Sequence, residues 1–433
     1  MTAEIAVYNR AAIALAADSA STVTNGRSSK VYNTAEKLFP LTKNYPVALM
    51  IYGSGELAGI PWEVLIKAYR RHLGDTSYPS MDEYVSSFFS FLTDFYPKLS
   101  RVDEEPECQL LEFMVKALDF IMEETYPDCP SPTDIESTLT KVIPNLDTAI
   151  EALREFPSLK TFDGEFSDFS IEENTAIKEH IVSEMEFFCS ELDININFDD
   201  KLSPTYQFYE KFSELISIAL VKPAPFEPPS TGLVFAGYGE DEYLPVMKTV
   251  EISGYFQNNF RLFLPKEKSI KDGVIGLAPF AQESEVEIFM EGISDTLKQT
   301  FYESLTNMAA LAINELECSD LIPEENKKQI TENLFNKLKS QFVDDKRYIE
   351  EFIEDQHVNK IVEMIQHLPK NELAYMAESL VNLTAFKRKV TNSIDTVGGP
   401  IDVAVISKGE GLVWVKRKHY FPGNLNRSYP TQP

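Results

Sequence analysis

Four features in the first sixty residues could do chemistry together. Thr2 follows the initiator Met, and a residue this small is the usual condition for removal of Met1. The chain would then begin with a free α-amine on a threonine, so that hydroxyl and base share one residue and the amine can take the hydroxyl's proton. Asp18 ends the second apolar run, placed to return beside the start of the first. Lys37 opens a later strand. Its ammonium near the threonine would lower the cost of forming the alkoxide and keep the amine neutral, because like charges disfavour protonation. A carboxylate would hold that lysine. Gly53-Ser54-Gly55, at a strand-to-helix turn, could present backbone N–H groups to an oxyanion. The chemistry implied is attack on a carbonyl through an acyl ester. Each residue alone is ordinary: Asp18 a turn residue, Lys37 a solvated strand end, the glycines a helix entry. Only in combination do they point to this chemistry.

The elements that must position these groups can be traced in the pattern. Ile5 and Val7 alternate with polar neighbours, Tyr8-Asn9-Arg10 forms a turn, and Ala12 to Ala17 is an apolar run. A polar loop, Asp18 to Lys30, precedes a short strand at Lys37-Leu38-Phe39 and a buried-type strand over 47–52. Helices follow, the second opening at Asp82. From Leu99 to Pro229 acidic helical stretches alternate with proline breaks and end in a stiff Pro-rich linker. Strand texture returns at 232–264. A long helix is predicted from about Glu285 to Leu316, further helices to 390, and a closing hairpin at 400–415. This order predicts two sheets packed between helical layers rather than alternating βα units.

Composition excludes several classes. With 433 residues the chain suggests two or three units of ~150 residues each. A net charge of −28 argues against a phosphate-neutralising nucleic-acid face and fits a self-repelling surface. No secretory leader and no run of 18 or more apolar residues is visible, so neither export nor membrane insertion is expected. The four cysteines lack CxxC spacing and read as reduced thiols of a cytoplasmic protein. The five histidines are scattered, without metal-ligand spacing.

The layout resembles the proteasome β-subunit family, including the simpler bacterial peptidase HslV, all N-terminal nucleophile hydrolases. That family pairs its N-terminal Thr with an Asp sixteen residues on, as Thr2 and Asp18 are, and Ala17-Asp18-Ser19 matches its turn. Its lysine precedes an apolar strand, as in Ala35-Glu36-Lys37-Leu38-Phe39, and the Gly-Ser-Gly turn matches. Downstream, Leu233 to Tyr238 and the stretch from Asn371 through Asp395-Thr396-Val397-Gly398-Gly399 to Ile406 resemble later family blocks. About half the chain is covered. The family serine before the third helix has no counterpart in Gly276-Leu277-Ala278-Pro279, and its D-x-x-S-G-G serine falls on Val397 or Gly398.

The resemblance implies an α+β fold, a four-layer αββα sandwich with two helical insertions. The core segments would be 1–98, 230–316 and 370–420, with an acidic insertion at 99–229, a second at 317–369 and a tail at 421–433. It implies threonine-type hydrolysis of peptide bonds, with Thr2, Asp18, Lys37, Gly53, Gly55 and Asp395 in catalytic or supporting roles. Ser21 and Ala35 would line the first specificity pocket. No metal or organic cofactor is implied. Expected partners are a polypeptide substrate, copies of the chain in a homo-oligomeric ring, and an ATPase unfoldase as a further candidate; neither nucleic acid nor membrane is expected. The alternatives are a catalytically silent structural or partner-binding subunit and an amidase of a small amide.

Overall fold

The computed structural model describes residues 3–25, 28–57, 59–99, 105–126, 135–156, 175–192, 194–226, 230–256, 259–263, 269–270, 273–318, 323–391 and 398–419. The fold is mixed α+β with antiparallel sheets, divided into two compact units. The first holds residues 1–35, 273–407 and 413–433; the second holds 36–272 and 408–412.

The first unit is built on a five-stranded sheet. Strands β1 (Glu4–Tyr8) and β2 (Ile13–Ala17) form its central hairpin. Short hairpin β3 (Ser21–Asn25) and β4 (Ser28–Tyr32) follows. This replaces the expected polar loop, because Thr22, Val23, Thr24 and Val31 are β-branched and suit paired strands despite their polarity. One face of the five-stranded sheet carries Ile5, Val7, Ala14, Ala16, Val403 and Val405, packed with Leu373, Ala377, Leu380 and Val381 of a covering helix. Alanines on both sides let helix and sheet approach closely. Asn9, in the turn after β1, donates to the carbonyls of Ile365 (3.0 Å) and Leu368 (2.9 Å) and so ties the first hairpin to the end of a helix.

The second unit carries β5 (Leu38–Pro40), β6 (Val47–Gly53) and the tiny pair β7 (Glu56–Leu57) and β8 (Ile60–Pro61), then α1 (Trp62–Leu73) and α2 (Met81–Leu99). Helices α3 (Glu105–Thr125), α4 (Ile135–Glu155), α5 (Thr175–Glu191) and α6 (Pro204–Val221) gather a core of their own around Phe113, Leu146, Phe188, Phe208 and Phe212. Ser203 caps α6 by accepting from the Tyr206 N–H at 3.3 Å, with Pro204 at the first helical position. Strands β9 (Thr231–Gly237), β10 (Val246–Phe256) and β11 (Asn259–Phe263) complete a sheet of order β11-β10-β9-β6-β5. Its alternating residues Leu49, Ile51, Leu233 and Phe235 pack with Trp62, Leu65, Tyr69 and Phe88.

The chain then returns to the first unit with edge strand β12 (Gly276–Phe280), which pairs β1. Gly276 to Pro279 is thus strand, not turn. The edge position tolerates Pro279, which has no N–H to give a further strand. The long helix expected over 285–316 is broken. Gly292, in the left-handed conformation at φ 74°, ends α7 (Ser284–Glu291), and α8 (Asp295–Cys318) starts afresh. Helix α9 (Glu324–Ile353) continues through a π-helical turn, Glu354–Val358, into α10 (Asn359–His367). Helix α11 (Lys370–Val390) covers the sheet, and hairpin β13 (Asp402–Ser407) and β14 (Gly411–Lys416) closes it in the order β12-β1-β2-β13-β14.

Among the described residues no helix is long and apolar enough to cross a membrane. Cys189 is buried among the helices of α3–α6, and desolvation pushes its thiol up to about 11, whereas Cys318 is exposed at the end of α8. The folded chain therefore holds the Cys189 proton through pH values at which an unfolded thiol ionises. Iodoacetamide at neutral pH is expected to modify Cys318 and to leave Cys189 untouched until denaturant is added. Peptide mapping by mass spectrometry checks this, and early labelling of Cys189 would contradict the packing.

Candidate active site

In the first unit, the candidate residues gather at the edges of the five-stranded sheet. Ala17 sits opposite Glu4 on one side and Asp402 on the other, so Asp18 emerges where β1, β2 and β13 begin or end together. Asp18 is fully buried. Its Oδ1 accepts the Ala3 N–H at 3.3 Å and its Oδ2 accepts the Gly398 N–H at 2.9 Å. The Asp18 N–H returns a bond to the Ala3 carbonyl at 3.1 Å. One carboxylate thereby holds the peptide unit that follows Thr2 and the loop that leads into β13.

Ser19 reinforces the same junction. Its N–H donates to the Gly398 carbonyl at 3.2 Å, and its buried hydroxyl donates to the Pro400 carbonyl. The Ser19 carbonyl accepts the Ala35 N–H at 3.1 Å. That bond brings the segment bearing Ala35 beside the one bearing Ser21, both half-buried and both small. Thr2 and Asp395 lie outside the described residues. The sequence places Ser19 in a turn after Asp18 but does not show its clamp on residues 398–400, since nothing local signals a contact across 381 residues.

Lys37 and the glycine turn belong to the second unit. Lys37 is buried, and its carbonyl accepts the Ile51 N–H at 2.8 Å at the mouth of the β5–β6 pair. This pairing places Lys37 next to the end of β6, two residues before Gly53. Its neighbour Glu36 faces Lys67 at 3.0 Å.

Gly53 has φ +79°, and a Cβ there would stand 2.3 Å from the Ser230 carbonyl oxygen. The Ser54 N–H donates to that same oxygen at 2.9 Å, so this amide is occupied within the fold. The Gly55 carbonyl accepts the Trp62 N–H at 3.0 Å, and Trp62 Nε1 donates to Thr231 Oγ1 at 2.8 Å. The helix after the turn starts at Trp62, with β7 and β8 between. The turn is therefore shaped by strand β9 and by Trp62 rather than by an immediate helix N-terminus. Gly53→Ala is expected to cost about 2–4 kcal/mol, combining a left-handed φ with backbone overlap. Gly55→Ala, with no atom within 4 Å of its Cβ, should stay within about 0.5 kcal/mol of the parent. Urea melts of the two variants make the comparison.

The basic run after β14 folds back on its own unit. Lys418 meets Asp402 at 2.8 Å, both nearly buried, and donates its N–H to the same carboxylate at 2.7 Å. Lys416 pairs with Glu378, and Arg417 lies over Trp414 at 4.6 Å. These charges therefore pin the closing hairpin. Among the described residues no group of three or more His, Cys, Asp or Glu side chains gathers to hold a metal ion.

No protein-family model matches this chain, and no curated protein is significantly similar to it.

Proposed function

We propose that this chain is a threonine-type N-terminal nucleophile hydrolase of proteasome-like kind, cleaving peptide bonds on a four-layer αββα framework. The observation that carries the reading is the pair of hydrogen bonds that the buried Asp18 carboxylate accepts from the amides of Ala3 and Gly398. A buried acceptor spent on the first peptide after Thr2 is what fixing that residue requires.

In this reading removal of Met1 frees the Thr2 amine. The amine, directly or through a water, takes the proton of the Thr2 hydroxyl as its oxygen bonds to the substrate carbonyl carbon. Lys37 stabilises the alkoxide, Asp18 orients the site, and the amides of Gly53 and Gly55, with that of Ser54 spent on Ser230, receive the oxyanion. The proton passes to the leaving amine, the C–N bond breaks, and an ester remains on Thr2. Water then adds to that ester and gives its proton to the α-amine; the acyl C–O bond to Thr2 breaks, the Thr2 oxygen takes that proton back, and the acid is released. Asp395 supports the amine in this scheme, and the half-buried Ser21 and Ala35 leave room for a bulky or apolar side chain. A homo-oligomeric ring, an unfoldase partner and a cytoplasmic setting complete the proposal.

The test is mass spectrometry of the purified chain before and after an epoxyketone, whose ring chemistry needs both a free amine and the hydroxyl. The expected result is a chain lacking Met1 that gains one adduct on Thr2. Retention of Met1, with no adduct, would reject the reading in favour of the silent subunit.

A further inference from the structure

We propose that helices α8 and α9 form a self-association arm, and that two copies of this chain pack through it, face to face, as a four-helix bundle. The two helices pair through a seam in which Lys298, Tyr302, Leu305, Ala309, Ile313 and Leu316 are the half-buried positions of α8. Tyr302 meets Phe342 of α9 at 5.9 Å, and Lys346 lies over its ring at 5.6 Å. No residue of α8 is fully buried, and among the described residues its contact outside the α9 seam is the ion pair of Lys298 with Glu291 of α7.

The two faces flanking the seam differ. At ~100° per residue, Gln299, Glu303 and Thr306 lie to one side of it. They line a polar groove together with Asn307, Phe342 and Lys346. On the other side, again about 100° from the seam, lie Leu297, Phe301 and Met308. Because α9 runs antiparallel, the same face receives Ile330, Tyr348 and Phe352. These six side chains are 41–67% exposed. An arm adapted to water alone would be polar on both faces; here the first face carries Phe335 among Gln299, Glu303, Thr306 and Lys346, whereas the second gathers six large apolar side chains.

A second copy is the occupant that fits. Six large side chains of ~200 Å² each, about half exposed, present roughly 600 Å². With the stems between them this approaches the ~800 Å² per partner of a standard stable interface. Charge points the same way. The segment 99–229 holds 29 acidic and 9 basic residues, which is 20 of the 28 net negative charges. Helices α8 and α9 together hold eleven acidic and seven basic residues, a net of −4 per arm that is small beside the −20 of segment 99–229. The arm also does not depend on the nucleophile reading, since neither hydrolysis nor labelling reports on it.

The experiment is sedimentation equilibrium of the full chain. The wild type is expected at an even multiple of the chain mass, and Phe301→Asp with Met308→Asp is expected to halve it. Gln299→Asp with Thr306→Asp, which adds the same charge on the polar face, should leave it unchanged. Should the first pair disturb folding by circular dichroism, Met308→Cys in a Cys318→Ser background replaces it. A short bismaleimide is then expected to link two chains through Met308→Cys and not through Asn307→Cys. A wild type that sediments as a single chain at every concentration would overturn the proposal. So would a folded apolar-face variant of unchanged mass, or no cross-link at Met308→Cys.

Discussion

Thr2→Ala is expected to abolish amide hydrolysis, lowering turnover by roughly three to six orders of magnitude while circular dichroism and the melting temperature stay at parent values. The size follows from the proposed chemistry: the α-amine survives the substitution, but without the hydroxyl no acyl ester can form and covalent catalysis is lost. Thr2→Ser should retain part of the rate, because hydroxyl and amine survive and only the methyl that restricts χ1 is lost. Asp18→Asn separates two roles. It leaves an amide oxygen to accept one N–H and places an NH₂ group against the other. That should lower turnover by more than about tenfold and also cost roughly 1–3 kcal/mol of stability. Hydrolysis of a fluorogenic peptide, read beside thermal melts, distinguishes them. Equal activity of parent and Thr2→Ala would end the nucleophile assignment.

The largest effect on stability is expected at Arg261. Its guanidinium is fully buried and caps the end of α6. It donates to the carbonyls of Ala219 at 2.9 Å, Leu220 at 3.0 Å and Lys222 at 2.8 Å, and to Ser253 Oγ at 2.7 Å. The rings of Phe113 and Phe263 lie 5.3 and 5.1 Å from its central carbon. A cation here suits the negative end of the α6 dipole, and its planar fork reaches three carbonyls that the helix cannot satisfy itself. The residue thus fastens helices α3 and α6 to the β10–β11 pair. Arg261→Met keeps the volume but leaves those carbonyls buried and unpaired, for an expected loss of about 3–5 kcal/mol. Arg261→Lys should fall between, since an ammonium reaches fewer of the acceptors. Urea denaturation followed by far-ultraviolet circular dichroism checks both. A Met variant within about 1 kcal/mol of the parent would show that the carbonyls find water instead.

Much of the element order was legible because it depends on local pattern. The alternation at Ile5 and Val7, the apolar runs over 12–17 and 47–52, and the Gly-centred closing hairpin all correspond to strands in the structure. Lys37 stands immediately before β5, as its position ahead of an apolar strand suggested. Where the reading differed, a local signal had been outweighed. Gly292 interrupts an otherwise continuous apolar stripe because its left-handed conformation ends α7. The 276–279 stretch looked like a turn from its glycine and proline, yet β1 offered an edge to pair with.

The sequence by itself determined which residues could act as nucleophile, base and support, because those are properties of side-chain type and spacing. It also determined where most of the strands of the two large sheets and most helices lie, though not β3, β4 and β12, through the two- and 3.6-residue periods of burial. Only the tertiary structure decided which groups meet. That Asp18 would hold Gly398, that Ser19 would reach Pro400, and that Arg261 would close α6 are contacts across 380, 381 and about forty residues. No periodicity encodes such pairings; they follow from sheet order and from the need of each buried polar group to find a partner once water is gone. The same holds for the arm, whose apolar stripe was visible as a helix face, while its exposure depended on what the fold left uncovered.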